Sequence, residues 1–167
     1  MRKYILILII ANIASFTSCY YQTSSDIKSF EEGLEIEVML DIARSYYELR
    51  QYDQALSYFS KIIQIDTTIG EAYYSRAYCF VRLYQDYESA LIDYLKAAEL
   101  SYKLDKTYAN LGYIYTLLDH RDIAMVYLYM ALYLDPENKD IIDHIRLLKD
   151  LEDIDKEIES MEKYKPV

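Results

Sequence analysis

The stretch LGYIYTLLDHRDIAMVYLYMALYLDP, residues 111–136, decides the fold of this chain. Three small residues, Gly112, Ala124 and Ala131, stand in a segment otherwise crowded with tyrosine and leucine. Two helices approach each other closely only where side chains are small, so Gly112 and Ala124 are expected to face each other in a helix hairpin. Ala131 is expected to accept the next helix. Pro136 ends the second helix of the hairpin, because proline cannot donate to the helical ladder.

The composition of the whole chain agrees with an all-α protein. Its 167 residues include only 3 Gly and 2 Pro, far fewer than a turn-rich β-sandwich or barrel needs, and 53% of them are apolar. The net charge is -10, from 28 acidic and 18 basic residues. Because this charge would repel phosphates, no nucleic-acid partner is predicted.

Small residues recur at a fixed period along the chain. Ala55, Ala90 and Ala124 are separated by 35 and then 34 residues, which is the period of stacked helix hairpins. Bulky and small positions recur in the same order around each alanine: Met39, Ile42, Ala43, Tyr46, Phe59 and Ile62 in the first repeat, Tyr73, Arg76, Ala77, Phe80, Tyr94 and Ala97 in the second, and Tyr108, Leu111, Gly112, Tyr115, Leu128 and Ala131 in the third.

This framework resembles the tetratricopeptide repeat family, whose repeats follow the order aromatic, Leu, Gly, Tyr, Ala, aromatic, Ala, Pro. Arg76 departs from it by replacing Leu, and Thr67 and Tyr102 replace Pro. The second repeat also has one extra residue between Phe80 and Ala90, which a loop is expected to absorb. The resemblance implies a right-handed superhelical stack of three hairpins with a C-terminal capping helix, at 36–69, 70–104, 105–138 and 139–164.

The N-terminal part of the chain differs from the repeats. A basic start, an apolar run (YILILIIANIA) and a short polar end (SFTSC) have the three-part form of a secretory signal. The residues before Cys19 resemble the bacterial lipobox, although Phe16 stands where an aliphatic residue is usual. We expect a lipoprotein signal peptide at 1–18, lipidation of Cys19 with acyl chains such as palmitate, and a flexible tether at 19–35. An ordinary cleaved signal and an uncleaved anchor are the alternatives.

Motifs of enzymes are missing from the sequence, which contains no Gly-rich phosphate loop, nucleophile elbow or paired-histidine zinc motif. The chain is therefore not expected to be an enzyme, and no cofactor or metal is predicted. Cys79 lies in an apolar helix face and is interpreted as a packing residue. Asp140 and His144, one helical turn apart, are interpreted as surface groups.

The resemblance implies a concave groove lined by the first helices of successive repeats. Tyrosines there would offer a large contact area at a small entropic cost, with packing in the core as their alternative role. Basic residues would add positive charge to an acidic body. The candidate peptide-binding residues are Arg44, Tyr47, Tyr74, Tyr78, Arg82, Lys106, Asn110 and Tyr113.

The resemblance also excludes one ligand class from the prediction. Family members that bind chaperone C-termini use a two-carboxylate clamp of Lys and Asn residues. In this chain Leu40, Arg44 and Ser75 occupy three of those places, and only Lys106 is retained. Binding of chaperone tails is therefore not predicted.

Two functions follow from these patterns. The first is a lipid-anchored scaffold of the bacterial cell envelope, facing the periplasm or the cell exterior, whose groove holds a peptide or helix of an envelope protein. The alternative is a structural or self-associating spacer protein that uses the C-terminal helix. In that helix, Leu151, Ile154, Ile158 and Met161 form a narrow apolar seam. A monomer is favoured, and a weak dimer remains open.

Overall fold

A computed structural model describes the backbone of residues 33–162 and the side chains of residues 33–150. The signal peptide, Cys19 and most of the tether predicted from the sequence lie outside these residues. The described part contains no strand and seven helices: α1 (33–48), α2 (Tyr52–Ile65), α3 (Gly70–Tyr84), α4 (Tyr87–Glu99), α5 (Leu104–Leu117), α6 (Arg121–Leu134) and α7 (Lys139–Glu162). The predicted all-α stack of helix hairpins is confirmed. Over the described residues, no helix is both long and apolar enough to span a bilayer.

Buried side chains connect each hairpin to the next and so hold the stack together. One cluster joins α1, α2 and α3, a second joins α3, α4 and α5, and a third joins α5, α6 and α7. In the third cluster, Ile141, Ile145 and Leu148 of α7 cover the last hairpin, as the end of a repeat array requires. Cys79 is fully buried in the first cluster, and this burial raises the pKa of its thiol to about 12, with a smaller contribution from Asp53.

Gly112 occupies the closest approach between α5 and α6. A Cβ atom at this position would lie 2.7 Å from Cγ and 2.8 Å from Cδ2 of Leu128, and 3.3 Å from the carbonyl oxygen of Ala124. Leu128 and Ala124 are both fully buried, so neither can move into free space. The space left by glycine is therefore filled mainly by Leu128, while Ala124 lets the two backbones approach.

The extra residue of the second repeat lengthens a helix, so the expectation that a loop absorbs it is wrong. Helix α3 continues for four residues beyond Phe80, whereas α1 and α5 end two residues beyond Tyr46 and Tyr115. The turn that follows α3 consists of only Gln85 and Asp86. It closes because Gln85 adopts a left-handed conformation (φ 53°) and the side chain of Asp86 accepts a hydrogen bond of 3.1 Å from the backbone N–H of Ser89.

Arg76, which replaces the usual leucine in the second repeat, is compensated by Asp93 of α4. Nε of Arg76 donates to Oδ2 of Asp93 at 2.7 Å and Nη2 donates to Oδ1 at 2.8 Å. Only 3% of the Asp93 side chain is exposed. The guanidinium also lies 5.7 Å from the ring of Tyr73 and 5.9 Å from that of Phe80. Such a two-point ion pair with aromatic cover satisfies charges that would otherwise be costly to bury.

In the other two repeats, a tyrosine replaces Asp93 and stacks on the ring at the position of Phe80, while Ile42 and Leu111 replace Arg76. Counted from the repeat alanine, Asp93 is equivalent to Tyr58 in α2 and Tyr127 in α6. Tyr58 stacks on Tyr46 with ring centroids 5.7 Å apart, and Tyr127 stacks on Tyr115 at 5.5 Å. The second hairpin therefore has an arginine and an aspartate where its neighbours have an aliphatic residue and a stacked tyrosine.

We expect Gly112→Ala to destabilise the protein. The added methyl group must displace a buried leucine, and overpacking of this kind costs about 1–3 kcal/mol. Gly33→Ala is the matched control, because nothing lies within 4 Å of a Cβ atom at that position. Urea unfolding followed by circular dichroism measures both variants. Equal stabilities would show that the α5–α6 contact tolerates a larger side chain.

Removal of Asp93 should be more damaging than removal of the whole ion pair. Asp93→Ala leaves a half-buried guanidinium unpaired, and we expect a loss of about 3–5 kcal/mol in unfolding free energy. Arg76→Leu combined with Asp93→Tyr copies Leu111 and Tyr127 of the third repeat and should recover most of that loss. The same unfolding assay tests this. A double variant no more stable than Asp93→Ala would contradict the idea that a leucine and a tyrosine can replace this ion pair.

Candidate peptide-binding groove

A cleft of about 380 Å³ lies along the first helices of the hairpins, α1, α3 and α5. Four of the eight predicted groove residues line it: Arg44, Tyr47, Tyr74 and Lys106. The other lining residues are Glu48, Phe59, Glu71, Ser75, Tyr102 and Lys103. The structure therefore brings together residues from all three repeats at one surface.

The other four predicted residues are not among those that line the cleft. Tyr78 packs against Tyr47, with ring centroids 5.2 Å apart, and the guanidinium of Arg82 lies 6.0 Å from the Tyr78 ring. Asn110 donates a hydrogen bond of 3.1 Å from Nδ2 to the hydroxyl of Tyr74 and so fixes a lining residue. Tyr113 packs against α7. The peptide-binding roles of all eight residues stay predictions.

The tyrosines of the cleft both pack and present polar groups. Tyr74 contacts Tyr94 and Tyr102 at centroid distances of 5.4 and 5.6 Å. Burial raises the pKa of Tyr47, with a further contribution from Tyr78. Burial also raises the pKa of Tyr74, opposed by the hydrogen bond from Asn110 and the charge of Lys103. Both phenols therefore stay protonated at neutral pH and can donate hydrogen bonds.

Arg44 does not supply the cleft with free positive charge, contrary to the expectation from its position. Its Nε and Nη2 atoms donate to Oε1 and Oε2 of Glu71, each at 2.6 Å, and Nη1 donates to Oδ1 of Asp41 at 3.0 Å. The hydrogen bonds to Glu71 raise the pKa of Arg44. Both carboxylates belong to the first helices of their repeats, and the charge of Arg44 is offset locally.

Lys103 and Lys106 carry the positive charge of the cleft. The Lys103 ammonium lies 5.0 Å from the centre of the Tyr102 ring and 5.9 Å from that of Tyr74. Lys106 is exposed and forms no ion pair with a carboxylate of the described residues. Sequence reasoning missed Lys103 because it precedes α5 in a left-handed conformation (φ 40°), outside any helical register.

Helix α7 packs over Tyr113 through His144, which is half-buried and not the surface group that was expected. The rings of Tyr113 and His144 meet edge to face at 4.8 Å, and Nε2 of His144 lies 2.9 Å from Oγ1 of Thr116. Thr116 uses its own proton to bond the Gly112 carbonyl at 2.9 Å, so its oxygen accepts from His144. Burial lowers the pKa of His144. Among the described residues, no group of three or more His, Cys, Asp or Glu could hold a metal ion.

Comparison with known proteins identifies the repeats. The Tetratricopeptide repeat family model matches residues 36–68 and 105–138. The chain therefore contains tetratricopeptide repeats, and the prediction of such repeats is confirmed. The unmatched segment includes the second hairpin, in which Arg76 and Asp93 replace the usual packing. A search of curated proteins finds no match to this chain.

Solved tetratricopeptide repeat domains have the same arrangement of hairpins. The Arabidopsis OM64 domain is 25% identical, with a TM-score of 0.64, covering 69% of this chain and 94% of that one. The first such domain of Spaghetti (RPAP3), bound to the HSP90 peptide SRMEEVD, is 22% identical with a TM-score of 0.64, covering 70% of this chain and 91% of that one. The second domain of human RPAP3, in complex with the HSP70 peptide SGPTIEEVD, is 22% identical with a TM-score of 0.64, covering 71% and 98%. The tetratricopeptide fold is typical of protein–protein interaction.

Proposed function

We propose that this protein is a lipid-anchored scaffold of the bacterial cell envelope that holds a peptide or helix of another envelope protein in its concave groove. The observation that supports the groove most directly is the cleft shared by α1, α3 and α5, with tyrosines along it and Lys106 unpaired among the described residues. A scaffold, rather than an enzyme, is what tetratricopeptide repeats generally form.

The chemistry of the cleft favours a segment with apolar or aromatic side chains and an acidic group. Tyr47 and Tyr74 offer ring faces to the apolar or aromatic side chains. Lys103 and Lys106 line the same cleft and offer positive charge to the acidic group. The chaperone peptides named for the RPAP3 domains are a poor fit to this cleft. Arg44 is already paired with Glu71 and is not free to bind a peptide carboxylate, and Leu40 and Ser75 carry no charge. We therefore propose an internal segment of a partner rather than a chaperone tail.

The membrane anchor in this proposal rests on the signal-like N-terminus and Cys19. Without residues 1–18, which include Arg2 and Lys3, the 18 basic residues become 16 against 28 acidic ones, for a net charge of -12. Such a body is repelled by anionic lipid head groups, so acyl chains rather than surface charge would hold the protein to the membrane.

The alternative function is a structural or self-associating spacer. Helix α7 continues to Glu162, and among its side chains that the structure describes, which end at residue 150, Leu148 is the last buried one. The seam at Leu151, Ile154, Ile158 and Met161 follows that residue. In this alternative the groove has no ligand.

Photo-crosslinking in intact cells tests the groove. A photoreactive phenylalanine analogue at Tyr78 should give a discrete adduct with a partner protein, and the same group at Gln64, on the exposed side of α2, should not. Lys103→Glu with Lys106→Glu should reduce the adduct by about tenfold or more, because two charges in the cleft are reversed. Lys61→Glu with Lys139→Glu, two exposed lysines outside the cleft, is the matched control. Absence of a Tyr78 adduct in folded protein would favour the spacer.

Replacement of the expected lipidation site tests the anchor. Cys19→Ala should abolish acylation of the protein, because the thiol that would carry the acyl chains is removed. Mass spectrometry of the wild-type N-terminus should find an acylated cysteine at position 19. An unmodified mature N-terminus would indicate an ordinary secretory signal, and retention of residues 1–18 in the membrane fraction would indicate an uncleaved anchor.

A further inference from the structure

Helix α6 carries a largely exposed apolar face, on which the ring of Tyr129 lies 5.7 Å from the ammonium of Lys149 in α7. We call this the α6 face, and define it by Ile123, Val126, Tyr129, Met130 and Tyr133. Between 39% and 85% of each of these residues is exposed. The opposite side of the helix, with Ala124, Leu128 and Ala131, is fully buried. Helix α6 is therefore apolar on both sides, which is unusual for a helix at a protein surface.

The first repeat shows that the hairpin itself does not need an apolar outer face. Aligned on Ala55 and Ala124, the α6 face is equivalent to five polar residues on the outer side of α2: Gln54, Ser57, Ser60, Lys61 and Gln64. Each of the two helices has 14 residues, and each has a buried alanine at the aligned position. The α6 face is thus an addition to the repeat framework, and its apolar character needs another explanation.

The shape of this surface combines a ridge with a trough. The ridge is formed by the α6 side chains, and a trough of about 650 Å³ runs beside it, bordered by Leu95 and Ala98 of α4 and by Val126 and Met130. A surface that contains both features can contact a copy of itself, because each ridge then enters the trough of the other copy. Two-fold contacts of this kind are the commonest in protein oligomers.

The distribution of charge also favours a second copy. The trough has only two charged lining residues, Glu99 and Asp122, and Glu99 is paired with Lys96 at 2.8 Å. A chain of net charge -10 repels its own copies over most of its surface, and this repulsion is weakest where charge is sparse. A strongly charged partner would find few complementary groups at the trough.

We propose that the α6 face is the surface through which two copies of this chain associate, with the α6 ridge of each seated in the α4–α6 trough of the other. Fourteen residues give α6 a length of about 21 Å, and a helix with its side chains is about 10–12 Å wide. The contact is therefore smaller than the roughly 800 Å² per partner of a standard interface, and the dimer should be weak, with a dissociation constant on the order of micromolar.

Disulfide crosslinking of the full chain in intact cells tests this proposal. Val126→Cys places a thiol at the centre of the α6 face, and mild oxidation should yield a covalent dimer of this chain on a non-reducing gel. Ser57→Cys is the matched control, because it places an exposed thiol at the equivalent position of α2, and it should stay monomeric. The native Cys79 is fully buried and should not contribute.

A second variant separates the contact from chance collision. Met130→Lys and Tyr133→Gln copy the residues of α2 and, added to Val126→Cys, should reduce the dimer band about tenfold or more. Thermal melting should stay unchanged because both side chains are exposed. Removal of residues 151–167 should leave the dimer intact. The proposal is wrong if Val126→Cys gives no covalent dimer, or if Ser57→Cys gives as much covalent dimer as Val126→Cys. It is also wrong if the crosslinked product contains another protein, or if the dimer is abolished by removal of residues 151–167 and not by the substitutions in α6.

Discussion

The close approach of paired helices at small residues is the constraint on which the rest of this structure depends. Ala43, Ala55, Ala77, Ala90 and Ala124 are all fully buried, and Gly112 completes the set. Because backbones come together at these points, the larger side chains around them are forced into the spaces between hairpins, where they form the three clusters that join one hairpin to the next. The repeat period, the stack and the separation of first and second helices all follow from this contact.

The second hairpin shows that the framework fixes a shape rather than a chemistry. An arginine and an aspartate occupy positions that hold leucine and tyrosine in the third repeat, and the helices still pair. A buried ion pair of this kind contributes little net stability compared with good apolar packing, but loss of one partner leaves an uncompensated charge. The hairpin has therefore become dependent on two residues, 17 positions apart, that must be kept or exchanged together.

The first and second helices provide two surfaces of different character. The cleft on α1, α3 and α5 combines tyrosines with two lysines, whereas the α6 face is apolar and nearly without charge. A polar cleft with aromatic walls suits a ligand recognised by specific contacts, and an uncharged apolar ridge suits a weak contact between acidic chains. Since the surfaces belong to different helices of each hairpin, occupation of one leaves the other available.

The sequence by itself determined the all-α class, the hairpins and the residues at the close contacts, because helical periodicity and the size of a side chain are local properties that repeat along the chain. It also placed Arg44, Tyr47, Tyr74 and Lys106 on one surface, since helical register fixes the direction of a side chain. Only the tertiary structure decided which charges remain free. Arg44 is neutralised by Glu71, 27 residues away, and Lys103 reaches the cleft from a turn. Pairing across helices depends on distances through space, and register within one helix does not contain them.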